Sequence, residues 1–144
     1  MTIIYLVACV SRKGAKPAPA ELLYLSDWFA KASQFARIHG DRWFILSAKH
    51  GLLAPDTVIA PYDKTLAKGM TRAEREAWAQ GVYHEIVDCT STDDKLVFLA
   101  GQKYREHLIP RLQAQGYTVD VPMEGLGIGE QLAWLKAKLN SANM

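Results

Sequence analysis

Thr2-Ile3-Ile4-Tyr5-Leu6-Val7-Ala8-Cys9 carries no charge, and its apolar, largely β-branched side chains fall on both alternating faces. A strand with one wet face would alternate, so this run reads as a strand covered on both sides, the usual state of a parallel sheet between helices. No positive region precedes it and it is too short to cross a bilayer, so a buried strand is the expected reading. The polar stretch Ser11 to Pro19, with Arg12, Lys13, Gly14 and Lys16, ends the strand in a loop.

Downstream, strand and helix patterns alternate. Trp28, Phe29, Ala32, Phe35 and Ala36 recur at helical spacing behind Ser26, which is placed as an N-cap, and this helix should stop near His39-Gly40. Trp43 to Ser47 is a second strand. It leads into a long irregular stretch, Ala48 to Gly69, whose hydrophobes Leu52, Leu53, Val58 and Ile59 argue for an ordered loop. Thr71-Arg72-Ala73-Glu74 is a capping box, and Trp78, Val82 and Ile86 continue that helix to about Asp88. Lys95 to Ala100 is a third strand, and Gly101 turns it into a helix kinked at Pro110. Tyr117 to Val121 is a fourth strand, and a last helix starts around Gly129-Glu130. Parallel neighbours need crossover connections, so the expected fold is a three-layer α/β/α domain over residues 1–144 with a mostly parallel four-stranded sheet.

Composition narrows the function classes. With 144 residues, 49% hydrophobic and 22% charged, the chain is of ordinary globular type, and its net charge of +2 does not announce a nucleic-acid partner by bulk electrostatics. The first fifty residues nonetheless carry 7 basic and 3 acidic side chains, so positive charge gathers there. Two cysteines, Cys9 and Cys89, are too few and too far apart for a disulfide framework or a paired-cysteine zinc site. A reducing cytoplasm is the expected location, with no membrane partner.

In an open parallel sheet, ligands bind beyond the carboxyl ends of the strands. That rule selects Cys9 to Lys16, Ser47 to Tyr62, Gly101 to Tyr104 and Pro122 to Glu130, and predicts that Cys9, Ser11, Ser47, His50, Gln102 and Glu124 converge on one cleft. The first segment lacks the glycine pattern of a nucleoside-triphosphate or dinucleotide loop, and Cys9 there has a bland alternative as a small packed side chain. The densest set of reactive groups is Ser47-Ala48-Lys49-His50 with Asp56. A metal site is not expected, because His50 and Asp56 lack a nearby second histidine and His39, His84 and His107 fall on predicted helices. Asp56 after Pro55 could equally cap a turn, and His50 could serve the loop backbone. Tyr62 offers a ring for stacking or for anchoring the loop. Gly125, Gly127 and Gly129 permit either close backbone approach or close packing of the last helix.

These motifs taken together resemble a family. Ala8-Cys9-Val10-Ser11-Arg12-Lys13, Leu23-Tyr24-Leu25-Ser26 with Phe29, Leu46-Ser47-Ala48-Lys49-His50-Gly51-Leu52 with Pro55-Asp56 and Pro61-Tyr62, and Leu126-Gly127-Ile128-Gly129 with Leu132 are similar to a bacterial and phage family of small domains of unknown function. That family is in turn distantly similar to the peroxide-stress protein YaaA and to the catalytic domain of archaeosine synthase. Their nucleobase-handling motif has a cysteine, a lysine four residues on, then tyrosine, serine and histidine. Cys9 and Lys13 keep the first spacing, whereas Tyr24 and Ser26 follow an eleven-residue shift and Phe29 stands where the histidine would come. Transfer of a lysine to a base is therefore not carried over. The resemblance implies a uracil-DNA-glycosylase-like or deazaguanine-handling domain.

The expected function is a nucleobase-directed enzyme that cleaves or exchanges an N-glycosidic bond in a nucleoside or nucleic acid, without a cofactor. Asp56 would stabilise charge on the sugar and His50 would assist the departing base. Ser11, Lys13, Ser47 and Lys49 would hold phosphate or base, Tyr24 or Tyr62 would stack, and Cys9, Ser26, Gln102 and Glu124 would complete the substrate site. A non-catalytic nucleic-acid or nucleotide-binding module and a stress-linked interaction domain are the competing readings.

Overall fold

A computed structural model describes residues 2–9, 13–62 and 69–142. The opening apolar run forms β1 (Ile3–Ala8), in which every residue from Ile4 onward is buried, so both faces of the strand are covered. It pairs in parallel with β3 (Arg42–Ser47) on one side and β6 (Lys95–Leu99) on the other, and β6 pairs in parallel with β7 (Thr118–Asp120). The register sets Val7 beside both Ile45 and Leu99, which stacks the apolar runs side by side.

The main sheet has five strands rather than the expected four, with β4 (Gly51–Leu53) at one edge in the order β4-β3-β1-β6-β7. The extra strand, β4, runs antiparallel to β3 from a turn at residues 48–50, with Ser47 opposite Gly51. Gly51 occupies the left-handed region, φ 72°, a conformation glycine adopts without the Cβ clash other residues suffer. The stretch 48–69, expected to be irregular, also contributes β5 (Val58–Ile59), which pairs antiparallel with β2 (Ala18–Pro19) in a separate two-stranded sheet.

Helices fill the crossovers. The short α1 (Ala20–Leu23) follows β2, and α2 (Asp27–His39) connects toward β3 with its first turn capped by Ser26, whose Oγ accepts from the Phe29 amide at 2.9 Å. Thr71 and Glu74 form the expected capping box on α3 (Arg72–Cys89). Past β6 the expected single kinked helix is two helices, α4 (Gln102–Arg105) and α5 (Ile109–Gln115). Pro110 stands in the first turn of α5, where its missing N–H removes no helical bond. The last helix, α6 (Ile128–Ala142), packs on α2, while α3 packs against β4 and α4. Among the described residues, the buried apolar side chains form one cluster centred on β1, β3 and β6, and no helix is long and apolar enough to cross a membrane.

This topology fixes where a ligand can enter. From β1 the chain moves to β3 on one side and then crosses back to β6 on the other, so the loops leaving β1 and β6 diverge. In doubly wound sheets that reversal opens the ligand crevice. Cys9 follows β1 and Tyr104 lies on α4 just after β6.

Candidate functional site

Across that crevice the Cys9 Sγ and the Tyr104 hydroxyl lie 3.1 Å apart, both residues buried. Beside them is a chain of three hydroxyls. Tyr24 and Tyr62 share a short hydrogen bond through their phenolic oxygens, and Tyr62 and Ser47 are joined at 2.7 Å. Ser47 has no solvent exposure. Its Oγ accepts from the His50 amide at 3.0 Å, and its carbonyl accepts from the Trp78 indole at 2.9 Å. Trp78 in turn meets the Tyr104 ring edge-on at 5.6 Å, which closes the ring of contacts around the strand ends.

Each member is delivered by an identifiable piece of backbone. Ser47 ends β3, and the turn at 48–50 keeps His50 close enough for its amide to bond the serine side chain. Tyr24 is placed by an isolated antiparallel bridge to Lys13 and by the Gly14 amide donating to the Leu23 carbonyl at 2.8 Å. The same bridge sets the Lys13 Nζ 4.2 Å from the Tyr62 ring centroid and 5.7 Å from that of Tyr24. Lys49 Nζ lies 5.9 Å from the Tyr62 ring, and the His50 imidazole meets that ring edge-on at 5.4 Å.

Burial governs the protonation states. It pushes the Tyr62 phenol far above its ordinary range, with the neighbouring Cys9 sulfur adding to the effect. Tyr24 is raised as well, chiefly by burial, which its hydrogen bond to Tyr62 partly offsets. His50 is lowered, first by partial burial and then by the positive charge of Lys49, which favours its neutral form. The cluster therefore favours protonated phenols and a neutral imidazole beside the Lys13 and Lys49 side chains. A hydroxyl chain can reverse the sense of all its hydrogen bonds, so the Tyr24, Tyr62 and Ser47 oxygens can pass a proton along. Among the described residues no group of three or more His, Cys, Asp or Glu is arranged to hold a metal ion.

Of the residues singled out in the sequence, Cys9, Lys13, Tyr24, Ser47, Lys49, His50 and Tyr62 are brought together here. Ser11 lies outside the described residues. Ser26 is engaged in capping α2. Asp56 stands exposed on the turn between β4 and β5 and makes no hydrogen bond or ion pair among the described residues. The antiparallel course of β4 carries the chain away from the strand ends before Asp56 is reached, with Leu53 already opposite Ile45 in the middle of β3. Gln102 and Glu124 line a separate cleft at the ends of β6 and β7, so the single cleft expected for all six strand-end residues divides in two. The sequence marks Trp78 as an apolar helix position and includes Tyr104 in the strand-end segment Gly101 to Tyr104 without giving it a role. Their polar tips were the available signal, because a buried tyrosine or tryptophan needs a partner for its O–H or N–H.

Residues 4–137 match the model of a family described as being of unknown function, DUF6884. The chain belongs to that family. It is also 37% identical over 95 residues to the uncharacterized protein YfjM of Bacillus subtilis (strain 168), an alignment covering 65% of this chain and 62% of the relative. The chain thus spans less than two thirds of the length of that relative. No solved structure matches. A family of unknown function is thus found, as the motifs led one to expect, while the more distant likeness to YaaA and archaeosine synthase has no counterpart in these comparisons.

Proposed function

We propose that this DUF6884 protein is a nucleobase-directed enzyme, of uracil-DNA-glycosylase-like type and cytoplasmic location, that cleaves or exchanges an N-glycosidic bond in a nucleoside or nucleic acid. The observation that supports this reading is the buried Tyr24, Tyr62, Ser47 hydroxyl chain lying under the Lys13 ammonium at the sheet's crevice. When the bond between C1′ and the base nitrogen breaks, its electron pair goes to the base, and negative charge gathers on ring nitrogens and carbonyl oxygens. Fixed donors and a cation aimed at that charge stabilise it. In this mechanism the base takes a proton from the hydroxyl chain while Lys13 and Lys49 offset its charge. Water, or an incoming base in the exchange reaction, forms the new bond to C1′. The proton it releases returns to the chain through neutral His50.

Asp56 would reach the sugar only from its exposed turn, so the reading puts most of the catalysis on the leaving-group side. The test is incubation of the purified protein with nucleosides, modified nucleosides and single- and double-stranded DNA, with released base read by mass spectrometry. Tyr62→Phe keeps the ring and interrupts the chain, and turnover should fall by about a hundred-fold with a smaller change in binding. Salt-dependent binding with no base released from any substrate in the panel would replace this reading with a non-catalytic module.

A further inference from the structure

Arg105 follows Tyr104 on α4, so these two residues lie about 3.8 Å apart along the backbone. Tyr104 joins the hydroxyl cluster, whereas Arg105 lines a second cavity of about 350 Å³ at the ends of β6 and β7. The volume falls in the range of small-molecule sites. Its walls include Gly101, Gln102, Val121, Met123, Gly125 and Gln131, and among the described residues Arg105 is the one charged member of the lining. The carboxylates nearby, Glu106, Asp120 and Glu124, line an adjoining lobe that Arg105, Gln102 and Gly125 also border.

Arg105 is held for recognition. Its side chain is 17% exposed, its Nε donates to the Ala100 carbonyl at 2.9 Å, and a terminal nitrogen lies 3.8 Å from Glu124, itself 71% exposed. The fork edge is thereby left with only a loose, solvated carboxylate opposite it. The Gly125 amide, on the same wall and at φ 83°, donates to no acceptor among the described residues. A guanidinium edge, the Gln102 side chain and the Gly125 backbone line a cavity whose wall, among the described residues, includes no carboxylate; such a set of groups suits an oxyanion, and a guanidinium fork suits phosphate in particular.

We infer that this cavity is the phosphate subsite of the enzyme, taking a phosphate attached to the substrate's sugar while the base occupies the neighbouring hydroxyl cluster. The inference rests on the nucleobase reading for the identity of the whole substrate but not for the phosphate itself. Calorimetric titration of the full chain with ribose 5-phosphate and with a short abasic oligonucleotide separates a phosphomonoester from a backbone phosphodiester. At least one of the two should bind, and Arg105→Gln should weaken it by about tenfold or more, a loss of about 1.4 kcal/mol. Should Arg105→Gln fail to fold, the exposed position 102 decides, since Gln102→Glu places a negative charge in the cavity and should weaken the same ligand comparably. Failure of both probes to bind the wild type, or unchanged affinity in a folded Arg105→Gln or, failing that, Gln102→Glu variant, overturns the inference. Titration with unphosphorylated nucleosides reports separately on the base cluster. Sugar-phosphate binding without nucleoside binding would remove the nucleobase reading and keep the phosphate site, and the converse would do the opposite.

Discussion

Replacing Tyr62 by phenylalanine removes one oxygen from the middle of the hydroxyl chain and leaves the rest of the residue's contacts in place. The ring still meets Tyr24 at 6.2 Å and His50 at 5.4 Å, and Lys13 still lies over its face at 4.2 Å. Ser47 remains satisfied, because its Oγ keeps the His50 amide. Tyr24 does not. Its hydroxyl, on a residue only 3% exposed, loses the hydrogen bond that Tyr62 supplied. A buried polar group left without a partner costs about 1–3 kcal/mol, which for a domain of this size lowers the melting temperature by roughly 3–10 °C. Urea denaturation should therefore show a lower midpoint at unchanged slope. The discriminating variant is the double replacement Tyr24→Phe with Tyr62→Phe. Removing both partners leaves no orphan, so the double variant should be more stable than the sum of the singles by about 1 kcal/mol. Strict additivity, or a Tyr62→Phe cost below about 0.5 kcal/mol, would show that the two phenols are not coupled and would refute the hydroxyl chain.

Ser26→Ala should lower stability by about 1 kcal/mol through loss of the α2 cap, with ligand affinity unchanged; reduced affinity in a variant of native stability would instead place Ser26 in the substrate site. His50 should titrate below its ordinary value of 6.5 in an NMR pH series, because burial and Lys49 disfavour its charged form. The folded state then binds fewer protons than the unfolded chain, so this contribution is full above pH 6.5 and is lost on acidification through the depressed folded value. A midpoint at or above 6.5 would contradict the assignment. Once a substrate is in hand, Asp56→Asn should change turnover by no more than about threefold, whereas His50→Ala should reduce it by about a hundred-fold; equal losses would bring Asp56 into the site.

The sequence made the β1 run legible because a fully covered strand needs no alternation to be recognised, and the Ser26 cap and the Thr71–Glu74 box announce helix starts through local hydrogen-bonding chemistry. β4 escaped because three residues are too few to show a period. Pro110 misled because a proline fits both a kinked helix and the first turn of a new one, and only the packing of α5 against β7 distinguishes them. For the site, the strand-end rule located Cys9, Ser47 and His50 but carried no information on which side of β1 a loop would fall, so Gln102 and Glu124 were assigned to the same cleft. The exposed position of Asp56 is illegible for the same reason as β4, since reversal of the chain ahead of Gly51 leaves no trace in residue type beyond one glycine.

The smallest sheet in the molecule has a mechanical consequence. The stretches leading into Tyr24 and Tyr62 are joined by β2 and β5, which share two residue pairs, and by the Ala20 and Glu21 amides, which donate to the Thr57 and Pro55 carbonyls at 2.8 Å. β1, by contrast, is locked on both edges along its length. So few main-chain bonds act as a latch whose release requires far less free energy than global unfolding. Amide hydrogens at Ala18 and Ile59 should exchange through this local opening, orders of magnitude faster than those of Leu6 and Val7. The hydroxyl cluster can then part and reclose while the five-stranded platform beneath it stays intact.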